Sequence, residues 1–358
     1  MKDRTGTVQR FATRAVFGAR QLTRMAWYAA HGLVLRRLSE AERQRDGQSS
    51  RPPPQANRPV PGRHRFHAEI ADLLRRDLAN VEAGLYPMPT DHDGPLLVRL
   101  KRSRLFFSDL PDVHRRRESG QWNEVETPAN RATRPAYYLQ NFHFQTDGYL
   151  SENSALRYDT QVEVLFGGMA NLIRRQALPP LKEIFIGRDQ RKLSLLDLGC
   201  GTGRFLDFVK QGWPRLEVIG LDLSEPYLAE AKRHLARWSW LDFILAKAEQ
   251  IPLADASQDA VTSVFVFHEL PPKVRRQVFA ECARLLKPGG RLVLVDSFQR
   301  GDQPDYEDML ERFPQSFHEP YFLSYIEEDF PALARAHGLI HRRDDLAFFA
   351  KIMVFDKP

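Results

Sequence analysis

The run Leu195-Leu196-Asp197-Leu198-Gly199-Cys200-Gly201-Thr202-Gly203 constrains this 358-residue chain more than any other segment. Leucines beside an acid read as a buried strand. The alternate glycines that follow permit positive φ without a Cβ penalty and let a ligand approach the main chain. Nineteen residues past Gly203, Asp222 closes a second apolar run, Leu216 to Leu221. An acid at the end of the second strand of a βαβ unit is placed to accept hydrogen bonds from ribose hydroxyls. A dinucleotide fingerprint needs glycines one, three and six, but the sixth position is Arg204. That reading fails.

Three downstream segments keep the same order and spacing. They are Ala246-Lys247-Ala248-Glu249-Gln250-Ile251-Pro252, the strand-like run from Asp259 to Leu270, and Leu285-Leu286-Lys287-Pro288-Gly289-Gly290 leading into Arg291 to Val295. With the glycine turn they resemble the motifs of class I S-adenosylmethionine (SAM) methyltransferases, in the broad small-molecule group that includes the ubiquinone and menaquinone C-methyltransferases. The resemblance covers roughly residues 160 to 358 and stands on structural context.

It implies an α/β fold, a Rossmann-like seven-stranded sheet with helices on both faces, preceded by a mainly helical N-terminal region. It also implies SAM as cofactor. Carried over position by position, Gly199, Cys200, Gly201 and Gly203 meet the methionine end, with Asp197 orienting that loop or the ammonium. Asp222 takes the ribose hydroxyls, Leu223 lies beside the adenine, Ala248 offers its N–H to the ring, and Glu249 and Phe265 are nearby. One departure stands out. Many members carry an acid where this chain has Lys247, and a lysine cannot accept from the adenine amino group.

Strands are expected near 193–198, 216–221, 241–246, 260–267 and 290–296, with helical patterns between them. Such alternation implies right-handed crossovers and a parallel sheet. After a longer insertion, a helix from Ile326 to His337 and two strands, Leu339 to Leu346 and Ala347 to Phe355, form the expected antiparallel edge. The chain divides into 1–62 (a basic amphipathic helix and a proline-rich linker), 63–157 (a helical or irregular region with a lid) and 158–358 (the methyltransferase domain). A helix is expected around Phe66 to Val81 and another from Tyr158 to Leu178, while 90–135 shows no period.

The two cysteines sit in the turn and in a helix, so no disulfide framework is implied and a reduced cytoplasm fits. No apolar run reaches the ~18 residues of a membrane span. Of the net charge of +6, residues 1–65 hold 14 Lys/Arg against 4 Asp/Glu, and the remainder holds 38 against 42. The core is therefore not basic, which argues against a nucleic-acid partner. On a helical wheel Arg10, Arg14, Arg20 and Arg24 of the arm fall on one side. Phe11, Ala15, Ala19, Leu22, Ala26, Ala29 and Leu33 fall on the other, with Phe17 and Trp27 breaking the pattern. Three readings compete for residues 8–38: peripheral contact with a membrane, a helix packed on the core, or a transit peptide.

Methyl transfer from a sulfonium needs alignment and water exclusion, with a base only where the nucleophile must lose a proton. His268 and Glu269 end the fourth strand at the carboxyl edge, where open α/β sheets bind ligands. His268 is either a base or a residue packed beside the cofactor. His143 and Tyr149 belong to an aromatic and polar cluster, Asn141 to Ser151, with the composition of a small-molecule pocket. Phe313 to Phe322 has similar composition, and the two clusters are expected to face each other. The His residues are scattered with no short-spaced ligand set, so no metal is expected. The expected function is methyl transfer to a small aromatic or lipidic molecule. A protein or nucleic-acid methyltransferase and a non-catalytic SAM-fold module are the alternatives.

Overall fold

The computed structural model describes residues 2–45 and 61–358. The expected proline-rich linker lies mostly outside them. A seven-stranded sheet is built from β1 (Ser194–Leu198), β2 (Glu217–Asp222), β3 (Leu241–Leu245), β4 (Gln258–Val264), β5 (Leu286–Ser297), β6 (Ile340–Ala347) and β7 (Ala350–Asp356). Their order is β3-β2-β1-β4-β5-β7-β6. The first five run parallel, and β7 is antiparallel to both β5 and β6. The order reverses between β1 and β4, so a crevice opens beyond their carboxyl ends.

Side chains alternate across a strand, which explains why the central strands are apolar on both faces. Leu195, Val293, Val295, Ile352 and Val354 enter one buried cluster. Leu196, Leu198, Leu292, Leu294, Met353 and Phe355 enter the other. Each such side chain contributes about 1.5–3 kcal/mol when fully buried.

The helices, in chain order, are α1 (Lys2–Arg45), α2 (Arg63–Glu82), α3 (Leu96–Ser119), the short α4 (Pro128–Arg131), α5 (Glu152–Leu165), α6 (Ala170–Arg175), α7 (Leu178–Phe185), α8 (Arg204–Gly212), α9 (Glu225–His234), α10 (Pro272–Leu285), α11 (Glu307–Phe317), α12 (Phe322–Ile326) and α13 (Phe330–Ala336). None of those described is long and apolar enough to cross a membrane. The helix expected from Tyr158 to Leu178 is broken after Leu165. Gly167 and Gly168 take φ of 59° and 86° there, and a Cβ on Gly168 would lie 3.2 Å from the Met25 main chain of α1. The helix expected from Ile326 to His337 is likewise two pieces, α12 and α13. Region 90–135, which has no apolar period, contains the long helix α3. Its buried side includes Arg102, Ser103, Asp109 and Arg116, so a hydrophobic pattern could not reveal it.

The arm α1 packs on the core, but not by its apolar stripe. Phe17, Gln21, Arg24, Tyr28 and His31 are buried, whereas Phe11, Leu22 and Leu33 are exposed. Arg24 Nε donates to Asp93 at 2.9 Å, Nη1 donates to the Gly168 carbonyl at 2.8 Å, and Nη2 lies 2.6 Å from Glu163. Asp91 accepts from Gln21, Asn171 and Arg175. Burial opposes the Asp91 charge, yet Arg175 and Arg24 outweigh it and bring the carboxyl down to about 2. Asp93 also lies 4.0 Å from the Arg204 guanidinium. Arg204 in turn pairs with Asp159, whose other oxygen accepts from Thr202 at 2.6 Å. The network thus runs from α1 to the glycine turn.

Candidate functional site

The turn after β1 is built by its own glycines. Gly199, Gly201 and Gly203 have φ of 62°, 55° and 78°. A Cβ at Gly199 would sit 2.5 Å from Val266 Cγ2, and one at Gly203 2.6 Å from Leu235 Cδ1. A Cβ at Gly201 would meet no atom within 4 Å, because Gly201 faces an open cleft. Asp222 ties this turn to the next. Its Oδ2 accepts from Gly201 N–H and its Oδ1 from Ser224 N–H, both at 2.8 Å. Burial raises its pKa against these backbone donors.

The cleft is lined by Gly199, Gly201, Asp222, Leu223, Ala248 and Phe265, all expected at the cofactor. These residues fit a nucleoside sulfonium. There is bare backbone at Gly201, a carboxylate with further lone pairs at the second strand's end, and apolar walls for a ring. The other expected residues stand behind the wall. Asp197 is buried and accepts from Thr262 Oγ1 at 2.7 Å, and burial lifts its carboxyl to about 8. Cys200 is buried, with its N–H bonded to the Leu221 carbonyl. Gly203 caps α8. Glu249 accepts from Tyr137 Oη at 2.9 Å, and Lys247 is exposed.

Phe142 and Tyr149 of the expected Asn141 to Ser151 cluster cover this cleft, together with aromatic residues not assigned to it from sequence, among them Tyr137, Tyr138, Tyr158 and Tyr227. Phe142 stacks on Tyr149 at 5.5 Å, and Tyr149 meets Tyr158 and Tyr227 edge-on. Only about 100 Å³ of space is open beneath them.

A second, larger cavity of about 430 Å³ adjoins the cleft. Tyr158, Phe265 and Glu269 line both. Its walls are largely apolar, with Val162, Leu165, Phe166, Phe313, Phe317 and Phe349 among them, and Asp308 and Arg312 of α11 also line it. Phe265 holds φ at 59°, a conformation unfavourable for a bulky side chain, and stacks on Phe166 at 5.0 Å. The two clusters expected to face each other do so. Gln140 bonds both Tyr321 and His318, and His143 packs on Phe317.

Polar groups gather where cleft and cavity meet. Tyr149 Oη donates to Glu269 Oε1 at 2.5 Å. Burial lifts the Glu269 carboxyl to about 7 against the pull of His268 and Tyr149. His268 Nδ1 bonds Asp296 at 2.6 Å. Burial disfavours the imidazolium, but Asp296, Glu319 and Glu269 outweigh it and raise His268 to about 10. Burial beside His268 and His318 pushes His143 the opposite way, down to about 3. Asp296 escaped the sequence reading, although it carries the same signal as Asp222, an acid closing an apolar strand. Glu319 lies within the expected Phe313 to Phe322 cluster but is not singled out there by any spacing of its own.

A family profile described as "Methyltransferase domain" matches residues 196–294. The chain is 32% identical over 203 residues to a demethylmenaquinone methyltransferase of Beutenbergia cavernae, covering 53% of this chain and 78% of that one. It is 33% identical over 147 residues to the enzyme of that name from Thermotoga maritima, covering 41% and 59%. For several curated relatives the match spans only 33% to 61% of their length. A solved SAM-dependent methyltransferase from Aquifex aeolicus aligns with 52% of this chain and 92% of its own, at 20% identity and a TM-score of 0.40. By its sequence match over most of a named relative, the chain belongs to the class I SAM-dependent methyltransferases.

Proposed function

We propose that the protein transfers a methyl group from SAM to a small, largely apolar acceptor bearing an oxygen function, such as a hydroxylated aromatic ring with a hydrocarbon tail. One observation carries this reading. The largely apolar cavity of about 430 Å³ adjoins the cofactor cleft at Tyr158, Phe265 and Glu269, and Glu269 is a titratable group that lines both. Bound in the cleft, SAM supplies an electrophilic methyl on a sulfonium. The chain's own residues hold and dry the site. Asp222 and the Gly201 backbone border the nucleoside, the tyrosines of the cover exclude water, and Glu269, Tyr149, His143 and His268 meet the acceptor's oxygen. Named relatives act on demethylmenaquinone, which supports a quinone-like ring.

The full chain with label on the methyl of SAM, offered hydroxylated aromatics with and without prenyl tails, should yield label in an organic extract. Leu165→Trp should fill the cavity and raise the acceptor KM by about 10-fold or more while SAM affinity holds. Label in protein or nucleic acid instead would overturn the proposal. Peripheral contact with a bilayer through residues 8–38 is a second part of it, favoured by the exposed Phe11, Leu22, Leu33, Val34 and Leu38 of α1.

A further inference from the structure

Three side chains far apart in sequence meet at the junction of cleft and cavity. His143 comes from the cover, Glu269 from a 3-10 turn (Phe267–Glu269) that follows β4 rather than from the strand's end as expected, and Glu319 from the loop after α11. One nitrogen and two carboxylate oxygens among them lie within 4.8 Å of one another. Glu319 is the telling member. It is 1% exposed, and neither of its oxygens has a hydrogen-bond partner. His143 Nε2 stands 3.1 Å from Glu319 Oε1, without hydrogen-bond geometry. The nearby His268 commits its Nδ1 to Asp296. A buried carboxyl with no partner costs several kcal/mol, and an unmodified core rarely tolerates it.

We propose that His143, Glu269 and Glu319 form a binding site for a divalent cation. An imidazole nitrogen with two carboxylate oxygens is a donor set for Zn²⁺, Mn²⁺ or Fe²⁺ rather than for a soft ion. Zinc–nitrogen and zinc–oxygen bonds of about 2.0–2.2 Å bring donors closer than the 4.8 Å that bounds this set, although His143 and Glu319 already stand 3.1 Å apart. Three protein ligands leave coordination positions open toward the cavity, as catalytic sites do. An acceptor hydroxyl, enol or keto oxygen would occupy one of them, and its anionic form would be stabilised there, the hydroxyl proton leaving to water. The role toward an acceptor rests on the methyl-transfer reading above. The ion site itself does not.

The test uses the full chain freed of metal by a chelator and dialysed. Calorimetric titration with Zn²⁺ and electron paramagnetic titration with Mn²⁺ should each show one site per chain, and saturating ion should raise the thermal midpoint. Loss of an outer-shell partner commonly weakens metal binding 10- to 100-fold, so loss of a ligand in Glu319→Gln or His143→Ala should cost about 100-fold or more. SAM affinity, titrated separately, should persist in both variants, which shows that they fold and tests the cofactor site independently. No binding of either ion by the wild-type chain at millimolar concentration would overturn the proposal. So would wild-type affinity in both variants.

Discussion

The glycine turn and the arm α1 meet through Arg204 and Asp93, yet different forces hold them. The turn is a matter of backbone geometry. Three glycines at positive φ and one carboxylate that takes two backbone N–H groups define it within a few residues. The arm is held by buried charge. Arg24 reaches Asp93, Glu163 and the Gly168 carbonyl, while the leucines beside it face solvent. Local conformational rules therefore determine the first. The second depends on partners scattered from residue 91 to residue 204.

The sharpest way to break this contrast is to remove the arm's charge. Arg24→Ala removes the buried cation shared by Glu163 and Asp93, leaving Glu163 only Arg174 and the Asn171 N–H, and breaking a buried pair from one side costs up to about 3–5 kcal/mol. Urea denaturation should show that loss. A change below 1 kcal/mol would mean that the arm is merely adjacent. The matching change in the turn, Asp222→Ala, deletes charge-assisted acceptors worth about 1.5–3 kcal/mol, so SAM affinity should fall roughly 10- to 150-fold by calorimetry. Unchanged affinity would remove the cofactor from this cleft.

Acid separates the two regions further. Asp91 has a folded pKa of about 2, below the usual carboxylate value, because Arg175 and Arg24 outweigh the cost of burial. Its contribution is present above the unfolded pKa near 4 and is lost as pH falls through about 2. At roughly 1.4 kcal/mol per unit, that amounts to about 2–3 kcal/mol. Stability followed from pH 5 to 2 should drop by this amount, and less in Asp91→Asn. Equal slopes would show that Asp91 is not held by the network. The smallest effect belongs to the exposed stripe. Leu22→Gln with Leu33→Gln should alter stability by no more than about 0.5 kcal/mol per site. The same pair should abolish sedimentation with anionic vesicles. If wild type and variant sediment alike, the stripe is ordinary surface.

The wheel drawn from the arm's sequence placed apolar residues together and treated Phe17 as a break in the pattern. In the structure Phe17 is buried and Leu22 and Leu33 are not. A hydrophobic period reveals a helix face only when that face is apolar. On α1 and α3 the buried faces include Arg24, Arg102, Asp109 and Arg116, so the period pointed outward or vanished. At the cofactor cleft the opposite holds. Gly199, Gly201, Asp222, Leu223, Ala248 and Phe265, expected together from the sequence, line one cleft, because each motif lies on one short strand-to-turn segment.

The sequence by itself determined the alternating strands, their order along the chain and the glycine turn with its acid. These follow from periodicity and from glycine's freedom of φ, which act over a few residues. Only the tertiary structure decided which residues share the space beside that turn. It brought His143, Glu269 and Glu319 together, set His268 against Asp296, and buried Arg24 among carboxylates. Buried charges and converging donors depend on partners distant in sequence, and their energies are set by a shared low-dielectric environment that no local spacing encodes.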